Sequence, residues 1–219
     1  MTDSIVPVSD EQAKALQEGF KFAGQGLETA RQLGSWLSKI FGTIPEDLFG
    51  IAFGDALHIK RGENINIMAA KSAKRLKNLG IETTQEVPLS IGLPLLAAAA
   101  DENRDELVDL WARLLATAMD PSRSDCLRLK FIEVVRIMDP LDALVLQKLQ
   151  TMQDGSPTLR NVYSSQLSRS EDEIEISFGH LCELGCAIGN LNKEPSIRNL
   201  NLDKVNLTAF GRSLLRALN

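Results

Sequence analysis

The sequence predicts an all-α, mainly helical protein that closes in a small C-terminal winged-helix-like β-hairpin. Three observations predict it. Leucine and alanine recur at three- and four-residue spacings, the period of a helix rather than a strand. Only 5% of the residues are aromatic and only eight are proline, a composition that favours helix over sheet. The last third of the chain reads helix, helix, helix, hairpin, helix, which is a winged-helix order.

The elements follow in chain order. Asp10 to Ile40 has a helical pattern loosened by Gly19, Gly24, Gly26 and Gly34, each costing about 1 kcal/mol relative to alanine in a helix interior. Thr43 with Glu46 three residues on, and Pro45 between them, marks the next helix start, and Gly80 its stop. Unbroken, that helix would be about 50 Å long at 1.5 Å per residue, so a break near Gly62 is expected. Ile81 to Val87 is a loop and Leu89 to Ala100 a short buried helix. Asn103 and Glu106 form a capping-box pattern ahead of the stripe Leu107, Leu110, Trp111, Leu114, Leu115 and Ala118.

Leu127 to Met138 is a further helix, and Asp139-Pro140-Leu141-Asp142 starts the next, with an N-cap, a first-turn proline and an acid. After the turn residues Asp154-Gly155-Ser156-Pro157 come a helix over Thr158 to Leu167 and another capped by Ser170 and Glu173 and stopped by Gly185. Strands are expected at Cys186 to Ile188 and Val205 to Leu207, around an Asn-rich wing loop, and Thr208 caps the final helix. The domains predicted are a helical N-terminal segment (1–43), a helical domain (44–122) and the winged-helix-like domain (123–219).

A net charge of −5 repels a polyanion as a whole, so nucleic-acid binding would need a strong local basic patch. Three cysteines, Cys126, Cys182 and Cys186, and a start without a basic and apolar leader pattern give a cytoplasmic expectation. The longest uncharged run, Val87 to Ala100, is shorter than the roughly 20 residues a spanning helix needs, so no span is predicted.

Several strings resemble a known family. Phe53-Gly54-Asp55-Ala56-Leu57-His58-Ile59-Lys60-Arg61, followed by Asn64 and a basic helix, resembles the glycine-aspartate and arginine-asparagine signature of the abortive-infection alpha (Abi-alpha) family. Val87 to Ala98, Leu110 to Ala116 with Asp120-Pro121, and Phe131-Ile132-Glu133 leading to Met138-Asp139-Pro140-Leu141-Asp142 agree in the same order. So do Leu184-Gly185 and Leu207-Thr208-Ala209-Phe210-Gly211-Arg212. The likeness covers roughly Ile44 to Leu218, and the Asn-rich wing loop departs from it. The resemblance implies a bacterial antiphage protein of abortive infection, in which an infected cell stops growing or dies before phage spread. It brings no catalytic residues with it.

The residues themselves offer few sites. His180, Cys182 and Cys186 are spaced His-x-Cys-x3-Cys, which is not the paired CxxC of structural zinc, and they read as a histidine with buried free thiols. His58 lies three residues after Asp55 and reads as a structural pair, with no serine or cysteine completing a nucleophile and base. No phosphate-binding glycine loop is present. No cofactor, metal or enzymatic activity is expected. The helix that would enter a DNA groove begins Glu171-Asp172-Glu173 and adds Glu175, the wrong sign for phosphate.

What stands out is the region from Gly50 to Lys77. Gly50 and Gly54 have a close-packing spacing, Asp55 and Asn64 belong to the signature, and Lys60, Arg61, Lys71, Lys74, Arg75 and Lys77 face only Glu63. These ten positions are the candidate interaction residues, with a protein partner or self-association as the leading reading. The alternative is a membrane-perturbing, growth-arresting effector, peripheral at the inner membrane. It would use region 33–77, where Trp36, Leu37, Ile40, Phe41, Leu48, Phe49, Ile51 and Phe53 adjoin positive charge. A nucleic-acid-binding regulator is the second alternative.

Overall fold

The computed structural model describes residues 32–37, 56–151, 158–191 and 200–219. They fall into two compact units, Met1–Ile132 and Glu133–Asn219. Helices dominate the described residues, and the strands are confined to the second unit, as the sequence predicts.

The first unit is built on α1 (Ala56–Asn78), α2 (Leu89–Ala100) and α3 (Asp105–Met119), followed by a 3-10 turn at Ser124–Cys126. Along α1 the buried residues Asn64, Ile65, Met68, Ala69, Ser72, Ala73 and Leu76 keep helical spacing, and the opposite side carries Lys60, Glu63, Ile67, Lys74 and Lys77. The small residues Ala69, Ser72 and Ala73 let α1 approach α3 closely: the Ser72 hydroxyl is 2.9 Å from the carbonyl of Ala112 and 2.9 Å from that of Met68, and shares its one proton between them. The break expected near Gly62 is absent. The helix runs through this glycine, and its buried face, where each apolar side chain contributes about 1.5–3 kcal/mol, outweighs the single glycine's cost. The helix start expected at Thr43 to Glu46 lies outside the described residues.

Gly80 closes α1 as predicted. Its φ of +72° is the left-handed conformation, and it lets Gly80 N donate to Lys77 O (2.9 Å) and Ile81 N to Leu76 O (3.0 Å), satisfying two of the helix's last carbonyls. The loop beyond is held by the helical stretch 32–37, whose Leu33, Trp36 and Leu37 are buried. Trp36 Nε1 donates to Val87 O (3.2 Å), and Gln32 Oε1 accepts from both the backbone and the hydroxyl of Thr84 (2.8 and 2.7 Å).

The α3 stripe Leu107, Leu110, Trp111, Leu114, Leu115 and Ala118 is buried throughout. Its predicted capping box does not form. Arg104 is the N-cap residue and its side chain makes no cap bond; the carboxylate of buried Glu102 instead accepts from Asn103 N (3.0 Å) and Arg104 N (2.9 Å). Because the helix starts only at Asp105, Asn103 and Glu106 are out of capping register, and the acid next to Asn103 reaches the free amides.

Helix α4 (Leu129–Ile137) carries the chain from one unit into the other. The second unit continues with α5 (Pro140–Thr151), β1 (Thr158–Leu159), α6 (Arg160–Leu167), α7 (Glu171–Glu183), β2 (Ala187–Leu191), β3 (Leu200–Leu207) and α8 (Ala209–Leu218). The antiparallel sheet has the order β1-β3-β2. Ala187 pairs with Leu207 and Gly189 with Val205, after which the register slips, so that Asn190 pairs with Asn201.

Two local expectations are corrected here. Thr158 and Leu159 are strand rather than helix, because they pair with Val205 and Lys204 of β3, a long-range contact that local pattern cannot show. The hairpin strands are also longer than predicted, since cross-strand bonds extend them into the Asn-rich polar run; Cys186 itself precedes β2. The core gathers Val145, Leu146 and Leu149 of α5, Ile174, Phe178 and Leu181 of α7, and Leu214, Leu215 and Leu218 of α8. Tyr163 packs edge-on against Phe178, centroids 5.3 Å apart at 73°.

Candidate interaction surface

The ten candidate positions separate into three groups. Gly50, Gly54 and Asp55 lie outside the described residues, as do Ile40, Phe41, Leu48, Phe49, Ile51 and Phe53 of the apolar block. Trp36 and Leu37 from that block are core residues.

Arg61 and Asn64 are spent inside the fold. Arg61 Nε lies 2.5 Å from Asp101 Oδ1, and the buried Asn64 amide donates to Ala100 O at 2.8 Å. Both therefore bind the C-terminal end of α2, where a free carbonyl and the negative end of the helix dipole call for a donor and a cation. The arginine-asparagine pair is a fastening between α1 and α2. Arg75 is half-buried, and burial, then the positive charge of Arg113, pushes its pKa down, with Asp109 acting the other way.

The remaining lysines face water. Lys60 pairs with Glu63 (3.4 Å) and Lys71 with Asp105 (3.7 Å), contacts worth little at such exposure. Lys74 and Lys77 are exposed and form no ion pair among the described residues. Between them and Lys60 sits Ile67, 47% exposed.

The tail motifs likewise turn out to be joints. Gly185, at φ +72°, ends α7 through Gly185 N to Cys182 O (3.0 Å) and Cys186 N to Leu181 O (2.9 Å). Thr208 then locks onto that turn: its amide donates to Cys186 O (3.1 Å), its hydroxyl to Gly185 O (2.5 Å), and its Oγ1 accepts from Gly211 N (2.9 Å) to cap α8. A side chain at Gly211 would collide with Cys186, its Cβ 2.0 Å from that carbonyl oxygen. Only glycine lets α8 pass so near.

A further cluster, which sequence spacing could not reveal, lies around Asp142. This carboxylate is only 2% exposed; Oδ1 accepts from Ser177 Oγ (2.7 Å), and Oδ2 accepts from Asp139 N (2.8 Å) and lies 2.6 Å from His180 Nδ1. With Asp139 these groups fall within metal-ligand range of one another. Asp142's oxygens, however, are already occupied by protein donors, which leaves them poorly placed to hold a cation. Serine and histidine both contact the carboxylate rather than each other, so the arrangement lacks the serine-to-histidine bond that would activate a nucleophile. It is a clasp between α5 and α7.

His180 is thus engaged by Asp142, away from the cysteines. Burial raises the pKa of the Cys182 thiol and pushes that of Cys186 up to about 12, with the Asp142 carboxylate adding to the latter, so both remain protonated thiols at neutral pH.

The outer face of α7 is different in kind. Asp172, Ile176 and Glu183 share the side opposite the buried Ile174, Phe178 and Leu181, with Glu175 on its flank. Arg160 of α6 draws in Glu175 and Glu171, and Glu173 is used in the capping box with Ser170, whose amide and hydroxyl hold its carboxyl below the ordinary range. Asp172 and Glu183 stay exposed and unpaired among the described residues. In their midst Ile176 is 72% exposed. The sequence carries a signal for it, because Ile176 breaks the three-four rhythm of its apolar neighbours Ile174, Phe178 and Leu181.

Fold and surface together define a mainly helical protein of two units, with sequence motifs consumed in buried joints and two outer helix faces of opposite charge. Residues 60–218 match the family described as abortive infection alpha, and the chain belongs to that family. No curated protein and no solved structure matches the chain. Among the described residues no helix is long and apolar enough to cross a membrane.

Proposed function

We propose that this abortive-infection protein works without catalysis, through protein contacts made by the outer face of α7 in a C-terminal unit of winged-helix type. The order α5, β1, α6, α7, hairpin supports the winged-helix reading, with α7 at the position a DNA-binding relative would insert into the major groove. Five acids on that helix oppose phosphate, so the partner is a protein.

The observation that carries this is Ile176. A large apolar side chain 72% exposed among acids is the pattern of a binding anchor inside a charged rim. Ile176→Asp should abolish protection in a phage plaquing assay while shifting stability by less than about 0.5 kcal/mol, because this side chain is 72% exposed. Full protection by that variant would end the reading. A salt-sensitive mobility shift with DNA would replace the protein partner by nucleic acid.

A further inference from the structure

The outer faces of α1 and α7 match each other in pattern and oppose each other in charge. Each presents an exposed isoleucine, Ile67 on α1 and Ile176 on α7. Each has an exposed charge, unpaired among the described residues, two turns further along the same stripe: Lys74 lies seven residues after Ile67, and Glu183 seven residues after Ile176, a separation of about 10 Å in both helices. Lys77 extends the positive stripe and Asp172 the negative one. The cations nearer the core, Arg61 and Arg75, are drawn toward acids of their own unit, so what α1 offers outward is a short basic stripe around one apolar residue.

From this complementarity we infer that the protein self-associates, α1 of one copy docking on α7 of a second. The inference rests on the reading of α7 as the contact surface and supplies its partner. With the two helices parallel, pairing the isoleucines removes both from water and brings Lys74 to Glu183, while Lys77 and Asp172 add to the attraction between the two faces. Because the two surfaces differ, the contact is heterologous and joins copies head to tail. Electrostatic steering of this kind acts within a Debye length of about 10 Å at 0.1 M salt and fades as salt rises.

Sedimentation of the full chain over a concentration series tests this. The wild type should exceed the monomer mass of 24.0 kDa as concentration rises, and its association should weaken at least tenfold between about 50 mM and about 500 mM salt. Lys74→Glu with Lys77→Glu should give a monomer, as should Asp172→Lys with Glu183→Lys. Combining all four should restore assembly, a result that misfolding cannot imitate. A wild type that stays monomeric at every concentration, or an assembly indifferent to both reversals, overturns the inference. The functional reading fails separately. If the wild type is monomeric yet Ile176→Asp abolishes protection, the second copy is excluded and a different protein is the partner. If the wild type assembles as described but Ile176→Asp protects fully, the assembly stands and the α7 mechanism falls.

Discussion

The two units fasten their helices by different chemistry. In the first, the joint between α1 and α2 is an asparagine amide on a helix-end carbonyl plus an arginine–aspartate pair with one foot in water. In the second, α5 and α7 are clasped by a carboxylate out of reach of solvent, and α8 rests on a backbone carbonyl with no room for a methyl group. A neutral bond that is lost can be partly replaced by water. A buried charge or a backbone contact has no such substitute, so the second unit should be much less tolerant of change.

Substitutions can break or sharpen that contrast. The largest effects are expected in the second unit. His180→Ala leaves the buried Asp142 carboxylate short of one of its three partners and should cost about 3 kcal/mol by chemical denaturation. Asp142→Asn, which removes the charge but keeps hydrogen-bonding capacity, should cost clearly less; an equal or greater loss would show that the clasp draws net stability from the charge itself. Gly211→Ala forces α8 away from Cys186 and should cost about 3 kcal/mol, lowering the melting temperature by several degrees. In the first unit Asn64→Ala should cost only about 1–2 kcal/mol, and a value matching His180→Ala would erase the contrast.

Smaller again is a pH effect. Burial alone would raise the Glu102 carboxyl, but the hydrogen bonds and charge of Arg104 outweigh it and hold that carboxyl below its ordinary value. A lowered folded-state value means stability present at neutral pH and lost as the pH falls through it. Melting curves from neutral into acid solution should therefore be flatter for Glu102→Gln than for the wild type. Last, Lys71→Ala removes only an exposed 3.7 Å pair and should shift stability by less than about 0.5 kcal/mol.

What the sequence disclosed and what it hid divides along the range of the interactions. Gly80 and Gly185 as helix stops, Ser170 with Glu173 as a capping box, Thr208 as a cap and the stripe on α3 all depend on residues a few positions apart, and all are where the pattern places them. The strand at Thr158–Leu159 depends on β3, more than forty residues away, and was hidden by a locally helical pattern. The basic run from Lys60 to Lys77 was legible as charge, but not which cations meet Asp101, Asp105 and Asp109, since those acids lie at the end of α2 and on α3. Capping of α3 failed for a subtler reason: two acids flank the start, and only the packing that buries Glu102 chooses between them.

The placement of aromatic residues has one more consequence. Both tryptophans of the chain, Trp36 and Trp111, are buried in the first unit, whereas its single tyrosine, Tyr163, is buried against Phe178 in the second. The protein thus carries a separate native chromophore in each half. Tryptophan emission therefore reports on the first unit alone, and comparing its melting curve with that of far-ultraviolet dichroism, which follows the helices of both, would reveal whether they melt as one body or two.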